Sequence, residues 1–354
     1  MSTESWPEDR LPLAKIKDWI KANLPGQPQV DGPTHIYGIK DWGVTACFSV
    51  GNSSNVENVV FKSPLLPLSF PCGIVYELLS NHCSGAVPNL LARTELEGCR
   101  WLLFRPFQGE RIQNLNSVEA LCDLARAYAD IQTTIADLPA QLKTQIPGQT
   151  VTTLIARYEE LLITVEDRYL DFWRTENSHE VEGGSSPPVL DRLKACRSWV
   201  VDWVEELVAG NWPISINHID LHPNNAVMQP EGQVLIYDWD EALLGFPFLS
   251  LDKLLSAAQE LAEEAEVFAG EKGADGQVWD PVSAVRQAYL NSLSWGTLTA
   301  REQAFDLANL LSPIHRAYAD WCWLQAMGWG PEEEAKSLAR CLIGAVENWE
   351  KRAA

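Results

Sequence analysis

Residues 216 to 227 read INHIDLHPNNAV and concentrate histidine, aspartate and asparagine side chains between apolar residues. The segment that follows, AVMQPEGQVLIYDWDEA, sets two apolar runs on either side of a Pro-Glu-Gly turn, the pattern of a β-hairpin. With Glu231 and Gly232 as the loop residues, Asn225 faces Asp238 across the ladder, where opposed Cα atoms lie about 4.5–5.5 Å apart. An amide oxygen and a carboxylate so placed can share one hard cation, and Mg²⁺ takes oxygen ligands while keeping phosphate and water as the others. Asp220, on the loop that enters the hairpin, can face the same space without joining the metal shell. A carboxylate there can accept the proton of a hydroxyl attacking a phosphoryl group. The chemistry within reach is phosphoryl transfer, with Asp220 as base and Asn225 and Asp238 on the metal.

Such a set has to be held by regular elements. After an amphipathic helix at about 11–24, the first hundred residues are strand-rich: THIYGIKD, VTACFSVG, NVVFKS, VPNLLAR and CRWLLFR are short apolar or alternating runs separated by turn residues. One helical stretch, GIVYELLSNH, lies between the third and fourth runs. From Asn116 the pattern changes: Asn116 and Glu119 stand at capping-box spacing, and Leu121, Leu124, Tyr128, Ile131 and Ile135 share a helical face. Further helices are expected at 151–176, 188–209, 249–270, 281–294, 301–326 and 331–350, with a loop over SHEVEGGSSPP at 178–188. The outline is a bilobal α+β fold. Residues 1–105 form a small antiparallel sheet with one helix, 106–110 a hinge, and 111–354 a larger helical part that carries the catalytic loop and the hairpin.

Composition narrows the partners. A formal charge of −21 over 354 residues lacks the basic footprint that nucleic acid or an anionic membrane surface requires, and fits a neutral or cationic ligand or plain solubility. Eight cysteines without a C-x-x-C pair signal neither zinc nor a disulfide framework. The N-terminus has no basic region followed by an apolar stretch and no run is long enough to span a bilayer, so a soluble cytoplasmic protein is expected.

H-x-D-x-x-x-x-N followed by an apolar strand ending in Asp is similar to the catalytic and metal loops of kinases. The fuller HIDLHPNNAV…YDWDEALLGFPFLSLDKL resembles the aminoglycoside phosphotransferase and choline kinase superfamily, as do AYADIQ and SPIHRAYADW. Asn224 and Ile219 stand where that family usually has glycine; asparagine tolerates a left-handed backbone, and isoleucine narrows access to Asp220. The resemblance implies a protein-kinase-like fold with ATP and Mg²⁺. It further implies a strand lysine paired to a helix acid, here Lys62 and Glu77, to hold the nucleotide phosphates. His218 would orient the loop and His222 would position loop or nucleotide. Asp240 would either back up the metal shell or bond the loop backbone. No G-x-G-x-x-G is present, so the first hairpin, around Asp41 to Thr45, would cover the nucleotide. The adenine would meet RPFQG, with Arg105 and Phe107 as contacts and the Phe107 backbone as donor, because Pro106 has no N–H.

The acceptor would lie against SPIHRAYADWCWLQAMGW (312–329) and AQELAEEAE (258–266), whose aromatic and acidic residues suit an amine, guanidine or aminosugar, or else form ordinary helical core and a solvated face. The expected enzyme is an ATP- and Mg²⁺-dependent small-molecule O-kinase. Its rivals are a non-catalytic nucleotide-binding module and a protein kinase, the latter disfavoured by DWD in place of DFG and by the lack of A-P-E.

Overall fold

A computed structural model describes residues 6–9, 11–52, 55–64, 72–96, 99–144, 146, 148–169, 189–269 and 280–353. They fall into two compact units, one of residues 1–115 with 224–242 and the other of residues 116–223 with 243–354. The hairpin that carries Asp238 therefore packs with the sheet of the first unit, where the sequence placed it in the helical part. The division falls at 115/116, beyond the expected 106–110.

The first unit is built on an antiparallel sheet of β1 (Gln29–Lys40), β2 (Gly43–Asn52), β3 (Asn55–Pro64), β4 (Leu90–Leu96) and β5 (Cys99–Phe104), in the order β1-β2-β3-β5-β4. Strand alternation divides its two faces. Val44, Ala46, Phe48, Val50, Val59, Phe61, Trp101 and Leu103 form one core with Leu11 and the helix α1 (Leu13–Ala22), whose Ile16 and Ile20 lie one turn apart. Each valine, leucine, isoleucine or phenylalanine among them contributes about 1.5–3 kcal/mol by leaving water. On the other face Lys62 pairs in register with Leu102 and Thr45. There the helix α2 (Cys72–His82) buries Tyr76, its ring 4.8 Å from that of Phe104. Asp41 and Trp42 make the two-residue turn between β1 and β2, closed by the Lys40–Gly43 pair.

The same unit holds a second sheet of β6 (Glu110–Arg111), β9 (Ala226–Met228) and β10 (Val234–Ile236). Gly109, at φ +154, leads into it with a hypothetical Cβ only 2.6 Å from the Met228 carbonyl oxygen, so backbone approaches backbone where no side chain fits.

The first unit's N-terminal stretch ends on the short α3 (Ile112–Leu115), and the second unit begins with α4 (Val118–Asp137), which buries Leu121, Leu124, Tyr128, Gln132 and Ile135 on one face. The expected capping box does not form. Asn116 lies outside the helix at φ 44, Ser117 is the N-cap without a side-chain cap bond, and Glu119 pairs with Arg126. Placing the cap at Ser117 leaves Ala120, which has no acceptor, at the third helical position. The helix expected at 151–176 is α6 (Thr153–Thr164), following the short α5 (Ala140–Lys143), and it continues as a π-turn over Val165–Tyr169. The expected loop at 178–188 lies outside the described residues. The segment 188–209 divides at Cys196 into α7 (Val189–Ala195) and α8 (Arg197–Ala209). The last helices are α9 (Asp252–Ala269), α10 (Pro281–Ser292), α11 (Leu298–Ala326) and α12 (Pro331–Ala353). A small sheet of β7 (Gly148–Gln149), β11 (Leu243–Gly245) and β8 (Ser215–Asn217), ordered β7-β11-β8, leads into the loop of His218 and Asp220. Among the described residues no helix is long and apolar enough to cross a membrane.

Candidate active site

The hairpin register differs from the expected one. Val234 pairs with Met228, Leu235 with Val227 and Ile236 with Ala226, and Tyr237 N–H donates to the Asn225 carbonyl at 2.8 Å, so Asn225 lies opposite Tyr237 and not Asp238. The turn has three residues, Pro230, Glu231 and Gly232. Gln229 N–H donates to Gln233 O at 2.8 Å, and Gly232 takes φ +83 as the left-handed closing residue. Asp238 then follows the strand at φ 66, a conformation aspartate tolerates better than most side chains.

That bend brings Asp238 to Lys62. The ammonium lies 2.5 Å from Asp238 Oδ1 and 2.8 Å from Asp240 Oδ2, and 5.9 Å from the centroid of the Tyr76 ring. Burial works against the Lys62 charge, but the two carboxylates outweigh it and hold its pKa well above the ordinary lysine value. Burial also lifts the Asp240 carboxyl above the usual carboxylate range, against the pull of Lys62. Asp240 Oδ1 is buried without a hydrogen-bond partner. Between the two acids, Trp239 is fully buried; its indole N–H donates to Ile236 O at 2.8 Å and its backbone N–H to the Tyr76 hydroxyl at 3.0 Å.

The expected Lys62–Glu77 pair is not made. Successive helical residues differ by about 100° around the axis, so with Tyr76 turned toward Lys62, Glu77 points along the sheet. It accepts instead from Arg93 Nε at 3.0 Å and Nη2 at 2.7 Å. In the linker, Arg105 N–H donates to Asn89 O at 3.0 Å, and the 38% exposed Phe107 ring lies 5.4 Å from that of Tyr237.

Among the described residues no three His, Cys, Asp or Glu side chains assemble into a metal cluster. Asn225, Asp238 and Asp240 offer oxygen donors only, and one buried carboxylate oxygen has no partner. This donor set fits a hard cation such as Mg²⁺, which leaves much of its shell to phosphate and water.

In the second unit a buried network fixes the strand Ser215–Asn217 that leads to Asp220. Gln132 Nε2 donates to Ile216 O and Pro247 O, both at 2.8 Å; Asn217 Nδ2 donates to Phe246 O at 2.9 Å; and the Tyr128 and Ser250 hydroxyls bond at 2.6 Å. Tyr128 and Gln132 are the two buried polar residues of AYADIQ, while Asp130 is exposed. His218 is buried, and its backbone N–H donates to the Tyr128 hydroxyl at 3.2 Å. Asp220 N–H donates to His218 O, and His222 N–H to Asp220 O at 2.8 Å. Of the two glycine replacements it is Ile219, at φ 33, that takes the left-handed conformation, while Asn224 sits in the 3₁₀ turn Pro223–Asn225. A β-branched residue there is strained, and the buried Ile219 side chain helps to hold it.

Two cations absent from the expected site lie beside this loop. Lys253, at the start of α9, forms an ion pair with Asp220, both side chains being partly exposed. Arg316, from SPIHRAYADW, bonds Asp252 Oδ2 at 2.6 Å and donates to Ile219 O at 3.2 Å. One signal was readable: Lys253 is the first lysine or arginine after Arg197. Of the aromatic segment, Ile314, His315, Ala317, Trp321 and Leu324 are buried, Tyr318 and Trp323 are half-buried and Trp329 is exposed.

A kinase-like sheet-and-helix fold with a part-buried strand lysine on two carboxylates, and a loop aspartate next to a buried network, defines a phosphotransferase. The chain belongs to the phosphotransferase enzyme family, whose profile matches residues 73–285. No curated protein matches it. Among solved structures it is similar to a choline kinase from Cryptosporidium parvum (13% identity, TM-score 0.56, covering 96% of this chain and 97% of that one). An ethanolamine kinase from Plasmodium vivax follows at 12% identity and TM-score 0.54, over 92% and 85% of the two chains. The macrolide 2′-phosphotransferase MphH from Brachybacterium faecium stands at 16% and 0.53, over 93% and 98%. At such identities these likenesses establish the fold.

Proposed function

We propose that this chain is an ATP- and Mg²⁺-dependent small-molecule kinase that moves the γ-phosphoryl group to a hydroxyl of a neutral or cationic acceptor, an amine, guanidine or aminosugar. The observation that carries the reading is Lys62, a part-buried ammonium held by the two acids that follow the apolar strand.

Asp238 and Asn225 would hold Mg²⁺, which when bound offsets phosphate charge and orients the nucleotide. Lys62, released by Asp238, binds phosphate oxygen and keeps its second carboxylate, Asp240. Arg105 and Phe107 of the linker contact the base. Asp220 accepts the hydrogen bond of the acceptor hydroxyl, aims it in line and takes its proton as the new O–P bond forms and the bond to the ADP oxygen breaks. Lys253 pairs with the Asp220 carboxylate and restricts its rotamers. His218 and His222 act through the loop backbone.

The acceptor preference rests on the formal charge of −21, which repels anions at long range and favours neutral or cationic alcohols. The test is ATP consumption measured against a panel of amines, aminosugars, choline-like alcohols and sugars, with products identified by mass. An acceptor-dependent mass gain of one phosphoryl group is expected. Nucleotide binding without turnover on any acceptor would replace the kinase with a non-catalytic nucleotide-binding module.

A further inference from the structure

The Lys62 surroundings carry an inference that rests on the kinase reading and extends it. We propose that Asp240, and not an acid of helix α2, is the residue that holds the Lys62 ammonium in place for the nucleotide phosphates, with Tyr76 pinning the backbone that presents Asp240. A lysine that grips phosphate needs a carboxylate partner that stays behind when phosphate arrives. Asp238 cannot be that partner, because it is also the charged metal ligand. Glu77 is not: both Arg93 contacts fall on its Oε2, and its side chain is half exposed. Asp240 meets the requirement. Its Oδ2 lies 2.8 Å from Lys62 Nζ, and its side chain is only 13% exposed.

Two further contacts show that the position is built. Tyr76 occupies the helical position that turns toward Lys62, and its hydroxyl receives the Trp239 backbone N–H at 3.0 Å, one residue before Asp240. Helix and metal loop are thereby joined through a phenol. Asp240 is thus a positioning residue acting through Lys62.

The experiment is calorimetric binding of Mg·ADP to the full chain, with the KM for ATP and for the best acceptor measured alongside. Asp240→Asn should weaken Mg·ADP by about tenfold or more, the equivalent of one charge-assisted hydrogen bond, and leave the acceptor KM unchanged. Glu77→Gln should change Mg·ADP affinity by less than about twofold, as for an exposed ion pair. The double variant Lys62→Met/Asp240→Asn should bind no more weakly than Lys62→Met alone, because the second change removes a partner already lost. Tyr76→Phe, which keeps the ring, should weaken Mg·ADP in the same direction with a smaller effect. Recovery of Asp240→Asn binding at high Mg²⁺ would make Asp240 a metal ligand and overturn the inference. So would additivity with Lys62→Met, or a Glu77→Gln loss that is non-additive with it. Wild-type protein that binds no Mg·ADP would overturn the kinase reading along with it. Wild-type binding with Asp240→Asn unaffected would overturn this inference alone.

Discussion

Acid should loosen the second unit through one histidine. His315, on α11, is buried with its Nε2 lacking a hydrogen-bond partner, and its Nδ1 is 3.5 Å from an Arg157 nitrogen. Burial, with Arg157 and Arg316 adding repulsion, lowers its pKa from 6.5 to about 3. The folded-state value is depressed, so as pH falls below 6.5 the unfolded chain takes up a proton that the folded chain refuses, and stability drops until the pH nears 3. At pH 7.5 the term is below about 0.1 kcal/mol, and at pH 5 it reaches about 2 kcal/mol, or 1.36 kcal/mol for each pH unit below the unfolded value. The assay is urea unfolding of wild type and His315→Gln at both pH values. The variant loses stability at both through altered packing. The difference between the proteins should nevertheless shrink by about 2 kcal/mol on going to pH 5, because glutamine does not titrate. An unchanged difference would show that His315 accepts a proton in the fold and would refute the reasoning. Because its neighbour Arg316 holds the Ile219 carbonyl, activity should fall over the same pH window.

Asp220→Asn should cut kcat by about 10²-fold or more while Mg·ATP affinity stays near that of wild type, as for a lost base or positioning carboxylate; stopped turnover with calorimetry separates the two. Lys253→Met should lower kcat by no more than about fivefold with the fold intact, since an exposed ion pair contributes about 0.2–1 kcal/mol, and a loss equal to that of Asp220→Asn would give Lys253 a direct part in the reaction. Asp238→Ala should abolish metal-dependent nucleotide binding, and calorimetry finding the same Mg·ATP affinity would remove Asp238 from the metal site. For a cationic acceptor, kcat/KM should fall as salt rises, because exposed charges are screened beyond about 8 Å at physiological ionic strength, and a flat profile would assign the acidity to solubility.

The strands and the long helices were legible because their signals are local: alternation in VTACFSVG and the spacing of Leu121, Leu124, Tyr128, Ile131 and Ile135 each name an element without reference to the rest of the chain. Lys62, Asp220 and Asp238 could be picked out for the same reason, as charged residues at strand ends and in a polar loop. What failed depended on one residue more or less. A three-residue turn moved Asn225 from Asp238 to Tyr237, and a one-residue difference in helical phase gave Tyr76 the place expected for Glu77. Periodicity fixes the pitch of a helix but leaves its rotation to packing, here the fit of Tyr76 against Phe104. Arg316 was missed because an ion pair distant in sequence leaves no pattern in it, and Lys253 because its only signal is its isolation from other basic residues.

The first unit is discontinuous in the chain: its lysine lies on β3, but Asp238 and Asp240 arrive only after residues 116–223 have passed through the other unit. On a ribosome the N-terminal sheet would emerge and begin to collapse long before its two acids exist, leaving Lys62 facing Tyr76 without a counter-charge. Closing so long an excursion carries an entropic cost that grows only with the logarithm of its length, so the delay matters more to the rate of folding than to final stability. The carboxylate partners of Lys62 are therefore completed late in synthesis, and a chain interrupted before residue 238 would possess a sheet whose Lys62 has neither acid beside it.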